Sequence, residues 1–276
     1  MDGNSLRKGF EKKYKKYFGQ ALKVKVHFRE KDIHEMRISL KKLQAYAAFI
    51  HELTKGKSEE VIPIASIQSV FQTAGKLRNA QINIQLMEGK KISKKTGIFY
   101  ETEISRLVKS FIRTLKREIK PTNIELKKSD CKNIKKLVSD YSRKQVNLAM
   151  QHYVSKRWKE IDKYIQSKNV TKAMHEVRIR LKHMEAVTEL LNQPKVLGVQ
   201  SERLKGIMQE IGEWHDSAVF ADSLKAVNKQ ANKKHSKEKA ELFRLRIKMD
   251  KENKSYAKDI LRSLRELKNK KPRRER

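Results

Sequence analysis

The stretch HEMRISLKKLQA, residues 34–45, recurs later in the chain as HEVRIRLKHMEA, residues 175–186. Seven of the twelve aligned positions are identical. In both stretches the apolar residues follow one another at steps of three and four, a spacing that places them on one face of an α-helix. The repeat therefore predicts two amphipathic helices at equivalent places in two halves of the chain.

A second pair of similar segments follows the two copies of this stretch. Residues 74–79, AGKLRN, correspond to residues 211–216, IGEWHD. Because the separation between the copies is nearly the same for both pairs, we infer that both halves have the same order of helices, with small differences in loop length. The chain is interpreted as a tandem duplication, with a boundary between Pro121 and Ser129 and four helices on each side.

Apolar periodicity extends along most of the chain and predicts an all-α protein. The segments with the clearest helical spacing are residues 33–50, 64–88 and 98–119. No segment alternates apolar and polar residues long enough to predict a β-strand. The predicted architecture is two tandem four-helix bundles related by an internal pseudo-twofold axis. Residues 1–125 and 126–267 form the predicted halves, and residues 268–276 form a predicted basic, disordered tail.

The charge balance narrows the class of partner. The 276 residues contain 66 Lys and Arg but only 32 Asp and Glu, which gives a formal net charge of +34. Repulsion on this scale opposes a compact state, and a polyanion such as nucleic acid, an anionic membrane surface or a phosphate polymer would offset it. Hydrophobic residues make up 38% of the chain, which suffices for a buried core and argues against a disordered polycation.

Other features of the sequence favour a cytoplasmic protein that does not associate with membranes. A single cysteine, Cys131, permits no internal disulfide, which fits a reducing compartment. No stretch approaches the roughly 18 consecutive apolar residues of a membrane-spanning helix. The charged N-terminal segment lacks the apolar region of a signal peptide.

The cations of the repeated helix form a stripe beside its apolar face. In the first copy His34, Arg37 and Lys41 are spaced three and four residues apart, and the second copy has the same residue types at the same spacing. Cations beside a buried seam are costly unless anions compensate them, and a phosphate chain along the stripe would do so. A basic stripe on one helix is usually a solvated face, but its recurrence in register favours a phosphate-binding surface.

The two motif pairs resemble those of the CHAD domain, the conserved histidine α-helical domain. The shared pattern is His-x-x-Arg-(Ile/Val)-x-x-(Lys/Arg), present twice, and each copy is followed at a similar distance by Leu/Ile-Gly-x-x-(Arg/His)-(Asp/Asn). The resemblance implies two four-helix bundles that bind inorganic polyphosphate in a basic central groove or channel. It also implies a role in polyphosphate metabolism or at polyphosphate granules, with polyphosphate-metabolising enzymes as partners. This sequence departs from the family pattern at Gln44 and Glu185, where a further cation is common, and at Ala74 and Asn79 of the second motif.

The resemblance also implies a set of phosphate-binding residues. They are His34, Arg37, Lys41, Lys42, Arg78, His175, Arg178, Lys182, His183 and His215. To these the sequence adds Arg106, Lys109 and Arg113, which are spaced three and four residues apart on the predicted 98–119 helix. Asp216 is expected to orient His215 or to cap a turn, and we predict neither a metal site nor a cofactor.

Three functions compete at this point. Polyphosphate binding is the first, and binding of nucleic acid is the alternative, because the charge alone supports both equally well. Aromatic residues make up only 7% of the chain and are not interleaved with exposed basic residues, which favours polyphosphate but leaves nonspecific nucleic-acid binding open. A phosphohydrolase or phosphotransferase is disfavoured, since the sequence lacks a Gly-rich phosphate loop, a His-Glu-x-x-His motif and acidic clusters for Mg²⁺. We therefore expect no enzymatic activity.

Overall fold

The computed structural model describes residues 1–58, 64–120, 128–230 and 235–269, and these residues are helical nearly throughout. The helices, numbered in chain order, are α1 (Gly3–His27), α2 (Glu30–Leu53), α3 (Ile64–Glu88), α4 (Lys94–Glu118), α5 (Lys128–Val138), α6 (Arg143–Ile165), α7 (Val170–Leu190), α8 (Ser201–Gln230) and α9 (Ser236–Asn269). A 3₁₀ turn, Pro194–Leu197, lies between α7 and α8. The described parts of the chain contain no strand, which confirms the all-α prediction. Within the same parts, no helix is long and apolar enough to cross a membrane.

The two helices that carry the repeated stretch are α2 and α7, and each begins a few residues before the motif histidine. α2 starts just after Phe28, which ends α1 in a left-handed conformation with φ of 48°. In its first turn Asp32 pairs with Arg29 at 2.7 Å, where the helix dipole favours a carboxylate. α7 starts after Asn169, whose side chain accepts a hydrogen bond from the backbone N–H of Lys172 at 3.1 Å. These starts place the repeated stretch at matching positions in the two helices.

Helices that follow one another pack as neighbours, and the two halves meet where equivalent helices touch. In the first half α1 packs on α2 and α3 on α4, and in the second half α6 packs on α7 and α8 on α9. Between the halves, α2 contacts α7 and α3 contacts α8. The two copies of the repeated helix therefore lie against each other, and so do the helices that carry the second motif.

The apolar core is shared between the halves. The larger cluster of buried side chains includes Met36 of α2 together with Val177 of α7. A smaller cluster joins Tyr100 of α4 to Phe220 of α8, whose ring centroids are 5.8 Å apart. Each cluster thus draws residues from both predicted halves. The halves do not enclose separate cores.

Helix α5 was not among the predicted elements. It begins at Lys128, next to the predicted boundary, whose residues 121–127 lie outside the described residues. Ile134 and Val138 of α5 are buried, and the helix packs on α1. The prediction of four helices on each side therefore misses one helix, which follows the boundary in sequence but packs on the first half.

The final helix extends further than the sequence predicted. α9 continues to Asn269, and Lys268 in its last turn pairs with Asp162 of α6. The ammonium group of Lys268 also lies 5.6 Å from the centroid of the Trp158 ring. Because these contacts fix Lys268, it belongs to α9 and not to the predicted tail at residues 268–276. Residues 270–276 lie outside the described residues.

Candidate functional site

Arg37 of α2 is positioned by α3. Its Nη1 donates a hydrogen bond to the backbone carbonyl of Phe71 at 3.1 Å, and its guanidinium carbon lies 5.1 Å from the centroid of the Phe71 ring. A Cβ atom at Gly75 would lie 2.5 Å from Arg37 Nη1, so glycine leaves the room that the guanidinium occupies. The glycine of the second motif therefore helps to place the arginine of the first motif.

The matching cations of α7 influence those of α2 across the contact between the two helices. Arg178 acts electrostatically on both Arg37 and Lys41, and Lys182 acts on Lys41 as well. On α8, His215 interacts with Arg178 and Lys41. We call Arg37, Lys41, Arg178, Lys182 and His215 the interhelix cluster. It joins α2, α7 and α8 where the two halves touch.

The cations of the interhelix cluster repel one another. Burial, followed by the positive charges of Arg178, Arg37 and Lys182, lowers the pKa of Lys41 to about 7. Burial and the charge of Arg178 lower the pKa of Arg37 to about 10. Burial also lowers the pKa of Arg178, whose buried Nε has no hydrogen-bond partner in the described parts of the chain. Among the described residues, the carboxylate that opposes these shifts at Lys41 and Arg178 is that of Asp216.

Two histidines adjoin one another at the α8 side of the cluster. Asp216 Oδ1 lies 3.1 Å from His215 Nδ1, so Asp216 orients this ring, as the sequence predicted. The His175 ring meets the rings of Trp214 and His215 edge to face, with centroid distances of 5.0 Å and 5.7 Å. Burial is the main cause that lowers the pKa of both histidines, and the charge of Arg178 lowers both further.

The two family histidines differ in environment. His34 is exposed on α2, whereas His175 at the equivalent place in α7 is half-buried. The difference arises at the second motif, because Trp214 supplies a ring against His175 where the first half has Leu77. The equivalence predicted for the two histidines thus does not extend to their contacts.

Lys42 and His183, which also belong to the predicted set, lie outside the interhelix cluster. Lys42 Nζ contacts both carboxylate oxygens of Glu189 on α7 at 2.7 Å. Burial, followed by the charges of Arg157 and Arg180, lowers the pKa of His183 to about 4. Lys42 therefore lies at the flank of α2 with its charge matched by Glu189, and His183 lies at the flank of α7 with a lowered pKa. Neither offers an unmatched positive charge.

The remaining predicted residues lie at the edge of the cluster or away from it. Arg78 pairs with Glu30 of α2. Burial lowers the pKa of Arg78, and the negative charge of Asp216 opposes this shift. Lys182, although a member of the cluster, also pairs through its Nζ with Glu185 of its own helix at 3.0 Å. The three cations of α4 are exposed, and the first of them pairs with Glu103 of the same helix. These three are Arg106, Lys109 and Arg113.

Sequence reasoning missed the apolar residues that support the cluster. The ring of Phe71 contacts Arg37, and the ring of Trp214 contacts His175. Nothing in the composition distinguishes these two aromatic residues from others of the core. Gly75 carried a usable signal, because Gly212 stands at the same place in the second copy of the motif. Within the described residues, no three His, Cys, Asp or Glu side chains are grouped so that they could hold a metal ion.

Comparison with known proteins identifies the family. The model of the CHAD domain matches residues 10–225 of the chain. The chain belongs to the CHAD domain family. This membership confirms the resemblance drawn from the two motif pairs, and no curated protein sequence matches the chain.

Two solved structures are similar to this chain over nearly its whole length. The crystal structure of the CHAD domain from the plant Ricinus communis matches with a TM-score of 0.76 and 12% identity, covering 96% of this chain and 93% of that one. PptA from Streptomyces chartreusis matches with a TM-score of 0.68 and 11% identity, covering 98% of this chain and 99% of that one. At these identities the likeness establishes the fold alone.

Proposed function

We propose that the protein binds inorganic polyphosphate at the interhelix cluster. The observation that carries the proposal is the meeting of Arg37, Lys41 and Arg178 between α2 and α7, with little negative charge to oppose them. Phosphate oxygens would accept hydrogen bonds from the guanidinium and ammonium groups and would offset their mutual repulsion. Membership in the CHAD family, together with what the resemblance implies, supports the same ligand.

We further propose that the two halves are a tandem duplication related by a pseudo-twofold axis, and that the cluster lines a basic groove or channel at that axis. The packing supports this arrangement, because equivalent helices form equivalent pairs within each half. The contacts α2–α7 and α3–α8 join equivalent helices across the boundary. A polyphosphate chain would then meet similar cations from both halves.

The proposed role is that of a binding module without catalytic activity, in polyphosphate metabolism or at polyphosphate granules of the cytoplasm. The cluster consists mainly of cations, whereas phosphoryl transfer ordinarily uses carboxylates that hold Mg²⁺ beside the phosphates. Polyphosphate-metabolising enzymes are the protein partners that such a module would serve.

A competition titration separates polyphosphate from nucleic acid. The full chain is bound to a fluorescent single-stranded RNA or a fluorescent DNA duplex at physiological salt, and unlabelled long-chain polyphosphate is added. We expect polyphosphate to displace either nucleic acid at lower phosphate concentration than unlabelled nucleic acid does. If polyphosphate fails to displace them, the alternative, a nucleic-acid-binding protein, is favoured instead.

A double variant tests the site itself. Replacing Arg37 and Arg178 by Gln removes two charge-assisted contacts, each worth about 1.5–3 kcal/mol, so affinity should fall at least about tenfold per arginine. The control replaces two exposed arginines, Arg117 of α4 and Arg262 of α9, and removes the same number of charges. Equal losses of polyphosphate affinity in both double variants would mean that bulk charge, and not the cluster, provides the binding.

A further inference from the structure

Three glutamates lie beside the central cations of the interhelix cluster, and each is paired with a cation of the predicted phosphate-binding set. The pairs are Glu30 with Arg78, Glu189 with Lys42 at 2.7 Å, and Glu185 with Lys182 at 3.0 Å. The side chains of the three glutamates are 41%, 55% and 43% exposed, so none of these pairs is deeply buried. We call Glu30, Glu185 and Glu189 the rim glutamates.

The two arginines at the centre of the cluster have no such partner. Arg37 donates to the backbone carbonyl of Phe71, and neither Arg37 nor Arg178 forms an ion pair within the parts of the chain that the structure describes. The chain has 32 Asp and Glu against 66 Lys and Arg, so at least half of its cations cannot have a carboxylate of their own. The position of the few carboxylates therefore decides which cations a polyanion can use.

Along α2, the rim glutamates lie on both sides of the unpaired cations. At one end, Glu30 precedes Arg37 by two turns of α2, about 10 Å along the helix axis, and pairs with Arg78 of α3. At the other end, Lys42 follows Arg37 by little more than one turn and contacts Glu189 of α7. The row of unpaired cations is therefore short and is bounded by carboxylates.

The rim glutamates are not part of the repeat. At the matching positions, the other copy of the repeated helix has Thr171, Gln44 and Ala48 in place of Glu30, Glu185 and Glu189. Each copy of the helix thus folds without the carboxylates of the other. Ion pairs between partly exposed side chains also contribute little to stability, so stability does not account for the three pairs.

We infer that the rim glutamates are specificity-determining residues, which restrict the site to the unpaired cations and so favour polyphosphate over nucleic acid. The inference rests on the proposed function, because it concerns the same site. Neighbouring phosphates of polyphosphate share an oxygen atom, whereas those of a nucleic acid are separated by a sugar. A short row of cations therefore contacts several phosphates of polyphosphate but few of a nucleic acid.

A nucleic acid would need the outer cations to reach a comparable number of contacts. These cations are Arg78, Lys42 and Lys182, and a phosphate must first displace the carboxylate from each of them. The displaced carboxylate stays nearby and repels the phosphate. Because nonspecific affinity for nucleic acid rises with the number of phosphates that Lys and Arg neutralise, the rim glutamates lower that affinity.

The salt dependence of RNA binding tests the inference, because its slope counts the phosphates that the protein neutralises. For single strands, the slope of log K against log salt concentration is about −0.7 for each phosphate. The test variant is the full chain with Glu30→Gln, Glu185→Gln and Glu189→Gln combined. Its three freed cations should steepen the slope by about 2 and raise the affinity for single-stranded RNA about tenfold at physiological salt.

A control variant removes the same number of carboxylates from ion pairs outside the cluster. It combines Glu202→Gln, Glu252→Gln and Glu266→Gln, whose partners are Lys205, Lys248 and Arg203. The control gains the same net charge but should keep the slope of the unmodified chain. Equal slopes in the test and control variants would overturn the inference, because bulk charge would then explain any gain in affinity.

Tripolyphosphate examines the central cations separately. Its three linked phosphates are too few to extend from Arg37 to the paired cations at both ends of the row. The test variant should therefore bind tripolyphosphate within about threefold of the unmodified chain, since salt screens charges that lie about a Debye length away. A gain as large as that for RNA would mean that the glutamates act by general repulsion, and would refute the restriction of the site.

Two further measurements keep the outcomes distinct. Glu189→Gln alone should steepen the RNA slope by about 0.7, and it replaces the triple variant if circular dichroism shows that the triple variant does not fold. Displacement of RNA by polyphosphate from the unmodified chain tests the proposed function, whatever the slopes are. If polyphosphate displaces RNA but the test and control slopes agree, the role of the rim glutamates alone is refuted.

Discussion

At the scale of single residues, Arg37 is held by a backbone carbonyl and an aromatic ring, whereas a carboxylate commonly holds a buried arginine. The Phe71 carbonyl accepts from its guanidinium, and Gly75 leaves space for it. A neutral acceptor fixes the orientation of the side chain without cancelling its charge. This arrangement suits an arginine whose charge is needed by a ligand.

Gly75→Ala should therefore separate binding from stability. Alanine in a helix interior is favoured over glycine by about 1 kcal/mol. The Cβ of alanine would, however, displace Arg37 and break its hydrogen bond to the Phe71 carbonyl, which is worth about 1 kcal/mol. We expect the free energy of unfolding to change by less than about 1 kcal/mol while polyphosphate affinity falls about tenfold. Urea denaturation and polyphosphate titration measure the two effects.

Gly212→Ala is the matched control, since Gly212 holds the same motif position in α8. A Cβ there has no atom within 4 Å beyond its own helix, so the variant should gain stability from helix propensity and keep its affinity. Loss of affinity in both glycine variants would show that the contact between Gly75 and Arg37 is not responsible.

Lys41 should make polyphosphate binding depend on pH. Phosphate favours its protonated form, and in the free chain its pKa is lowered to about 7, so affinity should be highest at acidic pH and fall as the pH rises above 7. Lys41→Arg keeps its charge throughout this range and should bind with a flatter profile. Titrations between about pH 6 and about pH 9 at constant ionic strength compare the slopes. Identical slopes would assign the pH dependence to other groups.

At the scale of helices, the α2–α7 contact combines an apolar seam with repelling cations. Met36 and Val177 contribute to the shared core, while Arg37 and Arg178 lie beside it. Burial of the seam stabilises the contact, and the cations oppose it until an anion arrives. If the proposed function holds, stability and ligand binding conflict at this contact.

Arg178→Met should stabilise the unliganded chain. The change removes a buried positive charge with an unpartnered Nε and adds apolar volume, so the free energy of unfolding should rise by on the order of 1 kcal/mol. Polyphosphate affinity should fall in the same variant. Arg262→Met on the exposed face of α9 should change stability by no more than about 0.5 kcal/mol. Destabilisation by Arg178→Met in urea denaturation would argue that Arg178 is a structural residue.

The helices themselves were largely predictable from apolar spacing, and their contacts were not. The predicted segment 64–88 agrees with α3, and 33–50 falls within α2 (Glu30–Leu53), because both have a continuous apolar stripe. The short helix α5 was not predicted, because it spans only 11 residues and begins inside the boundary that was interpreted as a link between the halves.

The way in which two helices cross decides which of their cations lie close together. The sequence does not specify this crossing. The spacing of Arg37 and Lys41 placed them on one face, and the repeat placed Arg178 on the equivalent face of α7. The exposure of His34 and the enclosure of His175 depend instead on the partner helix, where Trp214 replaces Leu77. Lys42 likewise fits the basic pattern, but its charge is already paired with Glu189 of α7.

At the scale of the whole molecule, the net charge of +34 should make stability sensitive to ions. Added NaCl screens the repulsion and should raise the melting temperature of the free chain. Long-chain polyphosphate should raise it much more than orthophosphate at equal phosphorus concentration, since a ligand at about 100 times its Kd adds about 2.7 kcal/mol. Thermal denaturation measures all three conditions. Equal shifts with polyphosphate and orthophosphate would indicate charge screening alone.

The shared core has a consequence for the order of events during synthesis. Arg37 and Arg178 are far apart in the sequence, so a ribosome-bound chain exposes the basic stripe of α2 long before its partner helix exists. A nascent chain therefore passes the ribosomal RNA with its cations present but the proposed binding site unassembled. Stalled chains of increasing length should acquire selectivity for polyphosphate over RNA only after α8 has left the exit tunnel.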